Sequence, residues 1–315
     1  MENILFIINP ASACGSTLQT WAEAREDFAH LGIGFTERVT TRAGEAALLT
    51  RDALAEGATR VIAVGGDGTL NEVVNGYLDD TGHPLNPDAS LSLLPSGTGS
   101  DFCRSLGFKT RRDAIRAAIS PEAKLIDAAR CEFKDRDGQD ACRFFINLAS
   151  FGLGGDTVSL VNRWRGQLPR WIGGRARYIA AAVRALASYR NVPVTVRLDD
   201  QIEIKINSNL MVVANGRFAG GGMMLAPHAE FDDELLDVVL ADGATRLDVI
   251  RELPRIQRGG HLKNPKVKQL RAREVSINSA QPLAIDIDGE IAGHTPARLT
   301  LLPAVVKFAG LMGDA

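Results

Sequence analysis

Near residue 130 the hydrophobic pattern of the chain changes its period. Before that point, strand and helix signals alternate. Ile4–Ile8 is a buried-strand run, residues 16–31 have helical composition, Phe35–Thr40 reads as a strand and Gly44–Glu56 as a helix. Arg60–Val64, Thr69–Leu78, Leu91–Leu94 and Arg111–Ile119 continue the alternation. Such an order predicts a doubly wound, mainly parallel α/β sheet. In the first helix, Leu18, Trp21, Ala22 and Phe28 are expected to share a face. Beyond residue 130, Val192, Val194, Val196 and Leu198 alternate with polar or turn-compatible residues, and Ile202, Ile204 and Ile206 resume the alternation after Asp199-Asp200-Gln201. That is a period-two hairpin. A second hairpin is expected about Asp137-Gly138, and further strands at Leu210–Ala214, Leu236–Leu240, Val275–Ile277, Leu283–Ile287 and Arg298–Leu301. The second half therefore reads as an antiparallel β-sandwich, interrupted by one helical insertion at Gly174–Tyr189. The expected domains are 1–130 and 131–305, with a tail at 306–315 returning to the first.

Composition narrows the partners. A net charge of −2 gives no electrostatic case for nucleic acid. Cys14, Cys103, Cys131 and Cys142 form no CxxC pair, and the five histidines are isolated, so free thiols in a reducing cytosol are expected and a zinc site is not. No window reaches the roughly 20 apolar residues that span a bilayer. The expectation is a soluble, cytoplasmic protein that meets membranes only at their surface.

Two segments carry site chemistry. Val61–Glu72 contains a strand that ends in Gly65-Gly66, then Asp67-Gly68-Thr69 opening a helix, with Asn71 and Glu72 following. Glycines let phosphate approach the backbone, and a helix N-terminus offers free N–H groups and positive potential. Asp67 would repel phosphate unless a cation lies between them, and a magnesium ion carrying ATP phosphates supplies one. The second segment, Leu94-Pro-Ser-Gly-Thr-Gly-Ser-Asp-Phe, also follows a strand and places Ser96, Gly97, Thr98 and Gly99 in a polar turn, with Asp101 and Arg104 next to it. Loops at the C-terminal ends of parallel strands share one crevice.

GGDGTLNEVVNG at 65–76 and LPSGTGSDFCRSLG at 94–107 resemble the signature loops of the diacylglycerol kinase catalytic-domain family, which includes bacterial soluble lipid kinases and the sphingosine and ceramide kinases. NPAS at 9–12, Val39-Thr40, GGGMMLAP at 220–227 and IDIDGE at 285–290 follow in family order. The resemblance implies an ATP-dependent lipid kinase with an N-terminal nucleotide-binding domain, a C-terminal β-rich lipid-substrate domain and catalysis in the cleft between them. It implies ATP contacts at Asn9, Thr40, Gly65, Gly66, Asp67, Gly68, Thr69, Asn71, Glu72, Ser96, Gly97 and Thr98, and a charged network of Asp67, Asp101, Arg104 and Asp127 around magnesium and phosphate. Asp288 maps onto the family's proposed general base, with Glu290 positioning nucleotide or metal. Read as a strand, the segment would set Asp286, Asp288 and Glu290 on one face; read without the resemblance, Asp288-Gly289 is a solvated turn.

The chain departs from the family pattern in three places. No basic residue flanks Gly15, Ser100 stands where asparagine is usual, and Glu234 replaces the glycine of a DDG turn. That turn leaves Asp233, with the carbonyls of Glu230 and Leu235, as a candidate structural cation site. Arg163, Arg165, Arg170, Arg175, Arg177, Arg184 and Arg190, interleaved with Trp164, Trp171 and Tyr178, suit either an anionic membrane interface at the inner face or a core with a wet arginine side. Gly220–Gly222 would leave room for an acyl chain or form a turn. An exposed β-edge in the second domain offers a homodimer contact. Two other functions stay open: a soluble-substrate kinase such as an NAD kinase, which shares GGDGT, and a non-catalytic nucleotide or lipid sensor.

Overall fold

A computed structural model describes residues 3–96, 100–108, 110–164 and 174–310. The chain forms two compact units, the first built from residues up to Ile126 and from Ala304 onward, the second from Asp127 to Pro303.

In the first unit, strands β1 (Ile4–Ile8), β2 (Phe35–Val39), β3 (Arg60–Gly65) and β4 (Ser90–Pro95) alternate with helices α1 (Thr17–His30), α2 (Glu45–Ala55), α3 (Asp67–Tyr77), α4 (Asp101–Ser105) and α5 (Arg111–Ala118). The sheet is parallel in the order β2-β1-β3-β4, and Phe308, near the C-terminus, pairs with Leu91 at its far edge. Every residue of β1 and β3 is buried, as expected for central strands of a parallel sheet. On one face Phe6 meets Trp21, Phe28 and Phe35 with ring centroids 4.5, 4.9 and 5.2 Å apart. The buried stripe of α1 runs through Thr17, Trp21, Ala24 and Phe28. Leu18 and Ala22, expected on that stripe, are exposed, because one residue turns a helix by about 100° and the aromatic pair sets the facing side. Helices α2 and α3 pack tightly: a Cβ at Gly76 would lie 2.2 Å from the Ala47 carbonyl oxygen.

The second unit is antiparallel. Its strands are β5 (Ala123–Lys134), β6 (Asp140–Phe145), β7 (Leu148–Gly152), β8 (Val192–Leu198), β9 (Ile202–Ser208), β10 (Leu210–Ala214), β11 (Phe218–Ala219), β12 (Met223–Met224), β13 (Leu236–Ala241), β14 (Val267–Ala272), β15 (Glu274–Ser279), β16 (Ala284–Ile287) and β17 (Glu290–Ala309), the first beginning and the last ending in the first unit. Neighbours run β14-β13-β10-β7-β16-β17, and β17 also pairs with β15 and β5, which continue into β8-β9 and β6. Phe145, Phe151, Val194, Val196, Val213, Val238, Ile285 and Leu299 fill one core. This is the expected sandwich. The β8–β9 hairpin keeps the predicted alternation through Val192, Val194, Val196 and Leu198, while Ile202 beside the turn is exposed.

The single helical insertion expected here is corrected to three α-helices among the described residues: α6 (Leu153–Arg163), α7 (Gly174–Ala185) and α8 (Arg246–Ile256). Glycines at 154 and 155 hide α6 from a propensity reading, although both pack too closely for a side chain, with Cβ positions 2.2 Å from Ser150 Oγ and 2.8 Å from the Ala284 carbonyl. Pro254 discourages a helix at α8, yet Thr245 and Asp248 form a reciprocal capping box at its start. Gly220, Gly221 and Gly222 all take positive φ and turn β11 into β12, with Tyr178 packed against Gly220, so this run is a turn. No helix among the described residues is long and apolar enough to cross a membrane.

Candidate active site

The C-terminal ends of the parallel strands present Asn9, Thr40, Gly66 and Ser96 at one edge of the first unit. Each of Asn9, Thr40 and Ser96 extends the ladder by one backbone bond, to Val64, Ile8 and Gly65 carbonyls at 3.0, 2.9 and 3.0 Å. Side chains then tie the loops together. Asn9 Nδ2 donates to Thr69 Oγ1 at 3.0 Å, and the Ser12 and Ser96 hydroxyls share a bond of 3.0 Å. Gly65 must be glycine, since a Cβ would stand 2.4 Å from Thr69 Oγ1. Gly66 precedes α3 in extended backbone, and among the described residues no side chain caps that helix and nothing lies within 4 Å of a Cβ built on Gly66. Among the described residues the helix N-terminus is left open, the arrangement that suits a phosphate. Gly97 and Thr98 lie outside the described residues.

Asp67 fastens the two glycine-rich loops. Its Oδ1 accepts from Ser100 Oγ at 2.7 Å and from the Phe102 N–H at 3.4 Å, and its Oδ2 accepts from the Asp101 N–H at 2.9 Å. Burial holds its carboxyl above the ordinary range, outweighing these donors and the charge of Arg104. Ser100 also caps α4 by accepting from the Cys103 N–H at 3.1 Å, so the unusual serine serves both loops. Arg104 Nε lies 3.8 Å from Asp101 Oδ1. An ionised carboxylate offers about four lone-pair sites. Three donors on Asp67 leave room for a magnesium ion, which takes one or two carboxylates and otherwise phosphate oxygens and water. Asn71 is buried and accepts from Asn75 Nδ2 at its carbonyl, 2.8 Å away. Glu72, expected at the nucleotide, instead caps the preceding helix α2: its two oxygens accept from the N–H groups of Gly44 and Ala46 at 2.9 and 3.1 Å. Glycine at the start of α2 supplies no capping oxygen, and Glu72 provides it from α3.

In the second unit, β16 and β17 close about a two-residue turn at Asp288 and Gly289, both with positive φ of 48° and 88°. The alternation expected for Asp286, Asp288 and Glu290 therefore stops at Ile287, and Asp288 leaves the strand. Gly289 at the tip is exposed, but the Asp288 residue beside it is not solvated, being 5% exposed. Its Oδ1 accepts from the Leu148 N–H at 2.9 Å and its Oδ2 from the Ile146 N–H at 3.4 Å, while its own N–H donates to the Leu148 carbonyl at 3.0 Å. The carboxylate is thus oriented by backbone. Two residues earlier, Asp286 accepts from Ser150 Oγ at 2.9 Å through Oδ2. Burial pushes its carboxyl up to about 7, helped by the charges of Asp288 and Glu290.

Asp127 belongs to the second unit. It accepts from the Glu234 N–H at 2.8 Å and donates its own N–H to the Phe231 carbonyl at 2.7 Å, so its observed task is to hold the 231–235 turn. Glu234 takes φ of 58° in that turn, the strained position that glycine would relieve. The cation expected at Asp233 meets an arginine already in place. Arg271 lies 3.3 Å from Asp233 Oδ2 and 3.3 Å from Asp237 Oδ1 and donates to the His228 carbonyl, while Asp233 Oδ1 accepts from the Leu235 N–H. Among the described residues no three His, Cys, Asp or Glu side chains gather to hold a metal. A divalent ion at Asp233 does not fit without displacing that guanidinium.

Residues 3–131 match the diacylglycerol kinase catalytic domain, and residues 149–310 match the YegS C-terminal NAD kinase beta sandwich-like domain. A diacylglycerol kinase of Mycobacterium tuberculosis is 30% identical over 303 residues, covering 96% of this chain and 93% of that protein. The chain belongs to the diacylglycerol kinase family of lipid kinases. A diacylglycerol kinase of Bacillus subtilis is 29% identical over 306 residues, covering 96% of this chain and 94% of that one. The crystal structure of a diacylglycerol kinase from Bacillus anthracis shares the fold at a TM-score of 0.66 and 21% identity, over 99% of this chain and 97% of the other.

In this lipid kinase several site residues escape a sequence reading. Ser12 sits inside the NPAS motif, but only Ser96 across the edge reveals its use. Ser150 and Arg271 carry no local signal, because their partners Asp286 and Asp233 are 136 and 38 positions away in the chain. Of the arginine- and tryptophan-rich segment, Arg165, Arg170 and Trp171 lie outside the described residues.

Proposed function

We propose that this lipid kinase transfers the γ-phosphate of ATP to a hydroxyl of a membrane lipid such as diacylglycerol, working at the inner membrane face. The observation that carries the reading is the open N-terminus of α3 at Gly66, framed by the tied loops of Asn9, Thr69, Ser96 and Asp67. Its N–H groups and positive end take the nucleotide phosphates. Asp67 would hold a magnesium ion, which would supply neutralisation of the phosphate charge. Arg104 adds a cation at the same loops. Asp288, fixed by the N–H groups of Ile146 and Leu148, accepts the proton of the lipid hydroxyl as its oxygen bonds to the γ-phosphorus. The bond from that phosphorus to the bridging oxygen breaks, and ADP leaves. Glu290, paired with Ile287 at the base of the same turn, lies on the element that carries the base.

The test is transfer of labelled γ-phosphate to a panel of diacylglycerol, monoacylglycerol, phosphatidylglycerol, a sphingoid base, ceramide and NAD, with the native chain and Asp288→Asn. Label in one lipid, lost in the variant while ATP still binds, is the expected result. Label in NAD alone would move the chain to soluble-substrate kinases, and no label with ATP bound would make it a sensor.

A further inference from the structure

Helix α8 has two sides of different chemistry. Inward, Val249 packs on the cluster of Ala185, Leu186 and Tyr189, and Arg246 donates to the Tyr189 carbonyl. Both acidic residues of the helix are turned to partners on its flank: Asp248 meets Lys266 Nζ at 2.7 Å, and Glu252 meets Asn264 Nδ2 at 3.0 Å and Arg255 Nη1 at 3.1 Å. Outward stand Leu247, 52% exposed, and Ile250, 47% exposed, with Arg251 and Pro254 exposed along the same line and Arg258 exposed in the turn that follows the helix. Positions 247, 250, 251 and 254 share one face of α8, and no acidic residue of the helix interrupts it. A polar face would leave nothing to explain; two large aliphatic side chains kept in water between arginines do call for an occupant. The end of α7 also exposes Val183 and Arg184.

We infer that the outward face of α8 is the surface by which this chain docks on an anionic lipid bilayer. Leu247 and Ile250 enter the boundary between headgroups and acyl chains, and Arg251 and Arg258 lie on lipid phosphates. The aliphatic pair at the centre does not suit nucleic acid, and a second copy would set arginine against arginine. The inference rests on the lipid-kinase reading and names the partner surface of that activity.

The test uses the full chain, co-sedimented with vesicles of phosphatidylcholine alone or mixed with phosphatidylglycerol. Native protein, Leu247→Ser/Ile250→Ser and Arg251→Glu/Arg258→Glu are compared. Each is also assayed for phosphate transfer to a short-chain diacylglycerol dispersed as monomers. The native chain is expected to bind the anionic vesicles and not the neutral ones. Charge reversal should weaken that binding about a hundredfold, and the serine pair about tenfold or more. Activity on the dispersed substrate should stay unchanged in both variants, which also shows that they fold. Variants that bind anionic vesicles like the native chain, or a native chain that ignores them, would overturn the inference. So would a native dimer that either variant dissociates, since the face would then pair copies. Vesicle binding lost in the variants, with no transfer to any diacylglycerol by the native chain, would leave the docking surface standing and remove the kinase reading instead.

Discussion

Asp67 and Asp288 are both carboxylates held by backbone N–H groups from another part of the chain, each beside a glycine just after a buried strand. Their surroundings differ. Asp67 is half-buried and binds a hydroxyl and two N–H groups at the start of α4, so its bonds join one loop to another. Asp288 is buried at positive φ in a hairpin turn, and its two N–H donors come from the 146–148 segment. The first arrangement organises a surface for a ligand. The second presents one oriented carboxylate at a strained position, a use of strain that is common where a side chain must be aimed. Loss of Asp67 should therefore read out first in binding and stability, and loss of Asp288 in turnover.

The largest expected effect separates the two directly. Asp288→Asn should lower turnover by about 10²–10⁴-fold, the usual worth of a general base, with ATP affinity by calorimetric titration unchanged. A parallel fall in ATP affinity would erase the distinction. Next comes the neighbour that shares the hairpin. Asp286 is pushed up to about 7 by burial, so the folded state holds a proton that the unfolded chain releases near 4. The folded state then binds more protons through that window, and stability should fall by roughly a few kcal/mol as pH rises from about 4 to about 7. Urea midpoints against pH check this; Asp286→Asn should flatten the profile. An unchanged slope would mean that other groups set it.

Asp67→Ala should cost about 2 kcal/mol in urea unfolding, because it strands Ser100 and two backbone donors, and should weaken ATP binding. Arg271→Ala comes next. It leaves Asp233 and Asp237 without their common counter-charge, for about 1–2 kcal/mol after allowing for the arginine's partial exposure. Its melting temperature should then rise with millimolar magnesium or calcium, while that of the native chain should not respond. A native chain destabilised by chelator would restore the cation at Asp233. The smallest effect is Ser100→Ala, about 1 kcal/mol for a lost helix cap, with turnover on a saturating substrate kept.

Much of the first unit was legible because its signals are local. Five-residue apolar runs, glycine at strand ends and helical stretches between them define the βαβα order, and that order alone brings Asn9, Thr40, Gly66 and Ser96 to one edge. The β8–β9 hairpin was legible for the same reason, since period-two burial is a property of adjacent residues. The second site was not. Asp288 lies 140 positions from Leu148, and Asp127 lies 107 from Glu234, so no window of sequence shows that one carboxylate is aimed and the other holds a turn. Glu72 reads as a member of the nucleotide loop until the uncapped start of α2 is seen to claim it. The sequence by itself determined the two fold classes, the glycine-rich loops and the carboxylates available to them. Only the tertiary structure decided which carboxylate caps a helix, which faces an arginine and which is poised in a turn, because buried donors take the acceptors that folding brings within reach.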